Sequence, residues 1–556
     1  MNPNYLQKSA VEAGKRATFI LVAAVALSLP LHSQQITSDV QSRSAASASQ
    51  QPAAASQQTD QQIVQELDAM KKRIAQLEAE LKKHEAAEQP NTVPRTAKGS
   101  APVAVPAIEP VENAVETTPQ AAAPGKPAKE EPFAFADWTW LNGNARTKTP
   151  AFDSKFFTPE IRADIDYIYD LNHPKDDTIG GSSEVFRANE FHVTQLGVGG
   201  DFHYDNVRAR LMTQFGLYSQ TTPRNDASPA RGQWNLADAY RYVSEAYGGY
   251  HFNALHGINV DAGIFMSYIG LFSYYNFDNW AYQPSYVSSN TPWFFNGMRI
   301  QIFPTAHLKI EPWIINGWQS YGRFNNRLGI GGQILWRPNG WLSILGNQYA
   351  LGEDTLNTPG RIRYHTDDSI EVKYFDHPER TLSKAAFSLT GDMGCEHGGG
   401  VSCAGNSTQI IAGQRVLAPK QSFLGFMLYN RLWFHRDLYG LTLGGGKINN
   451  PGRYLVLLPP INGATAVTGT PYFTENPGDP YKAWDASATF DYMPSQYITF
   501  RWEFDHRAAN VPYFSGKNGI TPAGGNTGAP ASLVPGFTPD LVKDENRFNL
   551  AILVKF

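Results

Sequence analysis

The sequence has no apolar run of the roughly 20 residues that a helix needs to cross a hydrocarbon core. The apolar run from Ala17 to Leu29 falls short of that length. If the chain spans a membrane, it must therefore do so with strands, since only helices and closed barrels satisfy every backbone group in lipid. Cysteine is nearly absent: Cys395 and Cys403 are the only two, too few for a disulfide framework. Charged residues make up 18% and the formal net charge is −4, so there is no basic excess of the kind that binds nucleic acid.

What is abundant is glycine (48) and aromatics, with Tyr 26, Phe 31 and Trp 12, a mixture that favours strands and turns. The mean hydropathy of −0.37 is that of a soluble protein. A transmembrane barrel combines these traits, because its strands alternate lipid-facing and lumen-facing residues and its long loops are polar.

The amino-terminal third reads as a series of appendages. Lys8, Lys15 and Arg16 before the apolar run mark residues 1–33 as a secretory signal peptide. Its removal takes three cations and one anion (Glu12) with it, making the remainder more acidic still. Residues 34–60, rich in Ser, Gln and Ala, are expected to be disordered. Over 61–87, Ile63, Leu67, Met70, Ile74, Leu77, Leu81 and His84 recur at alternating spacings of four and three, a heptad seam. Such a seam gains little until a partner helix covers it, so it predicts an oligomerisation stalk, with a homotrimer preferred over a solitary amphipathic helix. Residues 88–132 form a Pro- and Ala-rich spacer, and 133–158 fit no paired strand, predicting a lumen plug or a periplasmic segment.

From residue 159 to 556 the pattern has period two. Ile161, Ala163, Ile165, Tyr167 and Tyr169 alternate with Arg162, Asp164 and Asp166. Leu196, Val198, Gly200, Phe202 and Tyr204 turn at Asp205 and Asn206 into Val207, Ala209 and Leu211. Near the end, Ile498, Phe500, Trp502 and Phe504 alternate with Thr499, Arg501, Glu503 and Asp505.

Tight turns near 205, 255, 305, 339, 378, 436 and 494 alternate with long polar connections near 171–189, 218–236, 269–293, 318–326, 351–367, 392–422, 448–481 and 507–544. Short turns on one rim and long loops on the other define an outer-membrane barrel of about 16 antiparallel strands, all-β apart from the coiled coil. A soluble sandwich would not need one-sided loop lengths, nor aromatics at strand ends such as Tyr169, Tyr204, Phe215, Trp336 and Phe434.

Three stretches carry a family likeness: the strand Arg162 to Tyr169, the run from Glu245 through Ala-Tyr-Gly-Gly to Tyr250, and the strand Val260 to Phe265 leading through Ile269 and Gly270 into an aromatic loop, Phe272 to Tyr282. With these the chain resembles the OmpL-like beta-barrel porin family over residues 159–556. The terminal Phe556, with Val554 and Ile552, is similar to the assembly signal of outer-membrane proteins. The resemblance implies a passive channel in the outer membrane, in contact with its lipid, that admits small hydrophilic solutes without a cofactor.

Charges expected to face the lumen are the pore-lining candidates: Arg208, Arg210, Arg299, Lys309, Glu311, Arg431, Arg501, Glu503 and Asp505. Many such charges simply pair across strands on a wet wall. Cys395 and Cys403 are expected to form a loop disulfide, the alternative being a metal site with His397. His397-Gly-Gly-Gly400 has the look of an esterase oxyanion loop, but no Gly-x-Ser-x-Gly elbow accompanies it, so no enzyme is expected. Asn406-Ser-Thr408 matches a glycosylation acceptor by accident. The competing reading is a non-conducting anchor or adhesin that presents the coiled coil and the loops.

Overall fold

The computed structural model describes residues 131–556, apart from 180–184, 224–225, 227–232, 324–325, 353–359, 399–400, 406–407, 412–413, 418–419, 452–480 and 519–539, together with Lys72. The chain divides into Met1–Gln120 and Ala121–Phe556. In the first unit only Lys72 is described, as helical and exposed; the signal peptide, the Ser/Gln-rich stretch, the coiled coil and most of the spacer lie outside the described residues.

The second unit is built on strands β1 (Phe157–Asp170), β2 (Phe191–Tyr204), β3 (Val207–Thr213), β4 (Val243–Phe252), β5 (Ile258–Met266), β6 (Phe294–Thr305), β7 (Leu308–Ile315), β8 (Gly329–Asn339), β9 (Leu342–Leu351) and β10 (Ile362–Asp376). It continues with β11 (Leu382–His397), a small hairpin of β12 (Thr408–Ile411) and β13 (Gln414–Leu417), β14 (Ser422–Phe434), β15 (Tyr439–Asn450), β16 (Tyr481–Ser495), β17 (Ile498–Ala509), a two-residue pair β18 (Phe514–Ser515) and β19 (Leu541–Val542), and β20 (Asp544–Lys555). Each barrel strand is antiparallel to the next. The first and last close the ring in register from Arg162↔Lys555 to Asp170↔Arg547, giving the sixteen-strand barrel of the order β1–β11, β14–β17, β20.

The connections alternate as the sequence predicts. Residues 205–206, 253–257, 306–307, 340–341, 377–381, 435–438 and 496–497 join strands at one rim; at the other rim the strand ends are separated in sequence by the longer stretches 171–190, 214–242, 267–293, 316–328, 352–361, 398–421, 451–480 and 510–543. Several boundaries differ from expectation: the connection expected near 218–236 runs from 214 to 242. β1 begins at Phe157 rather than 159, and β10 and β11 run on into stretches expected as loops, pairing up to Ile362↔His397. Their extra residues are polar on the lumen side, Arg363, His365, Asp392 and Glu396, which hides a strand from a search for oily alternation.

Burial is inverted relative to a soluble protein. On β1 and β17, Ile165 is 39% and Trp502 45% exposed, while Asp166 is 1% and Arg501 2% exposed. Exposed rings form two bands, with Phe202, Tyr250, Trp336 and Tyr374 toward the short-turn rim and Tyr169, Phe191, Tyr364 and Trp484 toward the long-loop rim. These are the levels at which amphipathic rings meet headgroups. Cys395, at the end of β11, is bonded to Cys403, with Cα atoms 5.2 Å apart. Their sulfurs are thereby taken up, which leaves no metal site with His397.

The outward face of β20 offers a direct check. Leu550→Arg places a cation in hydrocarbon and should cost about 2–4 kcal/mol in folding into lipid vesicles. Denaturant titration would read the loss, and an unchanged midpoint would contradict the orientation of that strand.

Candidate functional site: the barrel lumen

The lumen wall is lined with ionic groups because its strands alternate and water on the inner side can solvate what lipid cannot. The nine predicted lining residues all project inward, but they do different things. Arg208 and Arg299 share Asp261, at 3.2 and 3.1 Å. Arg299 also lies over the rings of Tyr247 and Phe265. Arg210 pairs with Glu245 at 3.0 Å, Asp201 at 2.8 Å and Glu160 at 3.1 Å. Lys309 pairs with Glu311 on its own strand.

Arg431, Arg501 and Glu503 hold a connection that folds into the barrel. Residues 267–293, between β5 and β6, are buried almost throughout and cross the lumen from the long-loop side. Arg431 and Arg501 flank Asp491, each at 2.7 Å. Their remaining N–H groups donate to the backbone oxygens of Trp280 (3.1 Å), Asn276 (3.2 Å) and Asn279 (2.7 Å). Glu503 accepts from the backbone N–H of Tyr282 and Gln283 at 2.6 and 2.7 Å, and Asp505 accepts from Asn549.

The sequence reading missed several anchors of this connection. Arg162 binds Asp278 at 3.1 Å, and Asp164 accepts from Asn276 (2.8 Å) and Tyr282 (3.1 Å). Glu245 accepts from the Tyr275 hydroxyl at 2.8 Å, and Asp485 accepts from Ser285 Oγ (2.8 Å) and Tyr286 N (3.0 Å). Burial holds the phenols of Tyr275 and Tyr282 well above their ordinary pKa, so they act as neutral donors. The charged side of β1 was legible in the alternation; its partners were not, because they lie more than a hundred residues away in the chain.

A second element enters from the short-turn rim. Phe133 N donates to Ala306 O at 2.8 Å, and Lys148 N to Gln496 Oε1 at 2.8 Å, both in short turns. Between these fixings Trp138, Trp140 and Leu141 are buried, in one apolar cluster with Leu271, Phe272, Trp280 and Trp433. Gly143 has φ +71°, and a Cβ there would lie 2.1 Å from Leu271 O, so the two inserted elements touch where only glycine fits. Arg146 donates to the Ile498 carbonyl and to Thr499 Oγ1. Its burial lowers its pKa to about 10, which leaves it cationic at neutral pH. At Asp137, burial works against ionisation, but the Lys148 ammonium at 2.8 Å and Thr139 outweigh it and bring the carboxyl down to about 2.

Between the two inserted elements and the wall of β7–β10 a cavity of about 380 Å³ remains. Asn142, Tyr268, Trp293, Lys309, Arg337 and Glu371 are among the residues around it. Among the described residues no cluster of His, Cys, Asp and Glu suited to a metal ion occurs.

The model of the family described as "Putative beta-barrel porin-2, OmpL-like" matches residues 162–423. Among solved structures, the chain is similar to the outer membrane channel DcaP of Acinetobacter baumannii, with 12% identity, 73% of this chain and 100% of that one covered, and a TM-score of 0.41. It is similar to the trimer form of OmpT of Vibrio cholerae, with 10% identity, coverage of 73% and 100%, and a TM-score of 0.38. It is also similar to an anion-selective porin from Comamonas acidovorans, with 11% identity, coverage of 72% and 99%, and a TM-score of 0.39. No curated protein matches the chain. The barrel, matched by that model over residues 162–423, lies in the bacterial outer membrane.

The anchors of the inserted connection should be energetically separable from the wall. Glu503→Ala strands two buried backbone donors, each worth about 1–3 kcal/mol when left unmade. The folded barrel should then become cleavable by chymotrypsin at the aromatics of 267–293. A resistant connection in that variant would mean that Glu503 does not hold it.

Proposed function

We propose that this chain, an OmpL-like beta-barrel porin by its match over residues 162–423, lets small hydrophilic solutes diffuse down their gradients across the outer membrane. The observation that carries the reading is the inversion of burial: charges line the inside of a closed ring and apolar side chains cover its outside. Such a wall can be wetted, and a ring of sixteen strands is wide enough to enclose an aqueous channel, where an eight-strand anchor would be filled by its own side chains.

Passage is narrow. The connection 267–293 and the segment 133–149 occupy much of the lumen, and solutes pass through the space that they leave beside β7–β10. The segment acts as a periplasmic plug, held by Trp138 and Trp140 and by hydrogen bonds to the short turns. No cofactor and no catalytic step belong to this function. The heptad seam of residues 61–87 joins three copies into a homotrimer on the periplasmic side.

Purified protein in planar bilayers should give stable ohmic steps in groups of three. A correctly folded, silent protein would favour the anchor reading instead. Deleting residues 131–149 should raise the single-step conductance, because it empties the short-turn half of the lumen; an unchanged step would remove the segment from the pathway.

A further inference from the structure

Two opposite charges beside the cavity are without an ionic partner. Arg337, on β8, and Glu371, on β10, both line it, and among the described residues neither forms an ion pair. Nor do they meet each other. Ser343, on β9, pairs with Glu371 across the ladder and reaches Arg337 Nε at 3.5 Å, so the three form one inward row spanning two inter-strand gaps, about 10 Å of backbone.

The inserted segment holds each charge where it stands. The Arg337 guanidinium lies over the rings of Phe133 (5.0 Å) and Trp138 (4.6 Å), and the Glu371 carboxylate accepts from Asn142 N at 2.8 Å. Two further buried donors at the cavity, Asn142 Nδ2 and Trp293 Nε1, have no hydrogen-bond partner among the described residues. Elsewhere on the wall, Arg210, Arg299, Arg431 and Arg501 each have a carboxylate within about 3 Å. The row Arg337–Ser343–Glu371 therefore presents a guanidinium and, apart from it, a carboxyl group that an incoming ammonium would hold ionised, both already oriented, to whatever occupies the cavity.

A small ion of either sign would answer one of these charges and leave the other. A neutral polyol would answer both only with dipoles, and charge-assisted hydrogen bonds are roughly twice as strong as neutral ones. We infer that the passage prefers zwitterionic solutes of the amino-acid or short-peptide class, which turn their ammonium toward Glu371 and their carboxylate toward Arg337. This preference rests on the channel function proposed above and adds its solute class.

Osmotic swelling of vesicles containing the full chain tests it with two uncharged-overall probes of similar size, glycylglycine and arabinose. Glycylglycine should enter several-fold faster than arabinose. Arg337→Gln and Glu371→Gln should each bring the ratio of the two rates close to one, even if loosening of residues 133–142 raises both rates together. The charge-exchanged double variant, Arg337→Glu with Glu371→Arg, should recover the preference, which a purely structural role for the pair would not allow. A wild-type ratio near one, or single variants that keep the wild-type ratio, would overturn the inference while leaving the channel intact. Swelling with neither probe, in protein whose gel mobility still shifts on heating as a folded barrel does, would overturn the channel function itself.

Discussion

Hydrocarbon offers no hydrogen-bond partner, and every other feature of the molecule answers to that. A strand edge left open in lipid would expose a row of unmade N–H and C=O bonds, each costing several kcal/mol. The last strand must therefore return to the first, and the ladder from Arg162↔Lys555 to Asp170↔Arg547 is where the whole sheet becomes possible. Once closed, the ring has a dry side and a wet side, and period-two alternation assigns each residue to one or the other. Leu550 and Asn549 are neighbours in sequence but stand in opposite solvents, one 42% exposed to the outside and the other 1% exposed within.

The wet side then has a problem of its own. A sixteen-strand ring encloses more space than wall side chains fill, and charged walls need counter-charges or donors. Two pieces of backbone supply them. Residues 267–293 bring amide N–H groups to Glu503 and Asp485 and carbonyl oxygens to Arg431 and Arg501. Residues 133–149 bring a cluster of tryptophans and one amide to Glu371. Wall charge and inserted backbone satisfy each other, so most ionic groups of the lumen hold the inserted elements in place.

This division explains what could be read in advance. The alternation of β1 and β17, the seven tight turns and the eight long connections were legible because each is local: a turn or a pleat depends on residues within a few positions of each other. Candidates such as Arg501 and Glu503 could be placed on the inner face for the same reason. Their roles were not legible, since Glu503 meets Tyr282 and Arg501 meets Asn276 across separations that alternation does not encode. The aromatic stretch Phe272 to Tyr282 stood out in composition, yet nothing local marked it as the connection that turns inward.

The sequence by itself determined that the chain crosses a membrane with strands, about how many, which faces meet lipid and which rim carries the long loops. These follow from periodicity and from the spacing of turns. Only the tertiary structure decided which connection enters the barrel, that Trp138, Trp140 and Leu141 pack against it, and that Arg337 and Glu371 have no ionic partner among the described residues. The physical reason is that lumen contacts join segments brought together by ring closure, and closure sets distances in space that no stretch of local sequence contains.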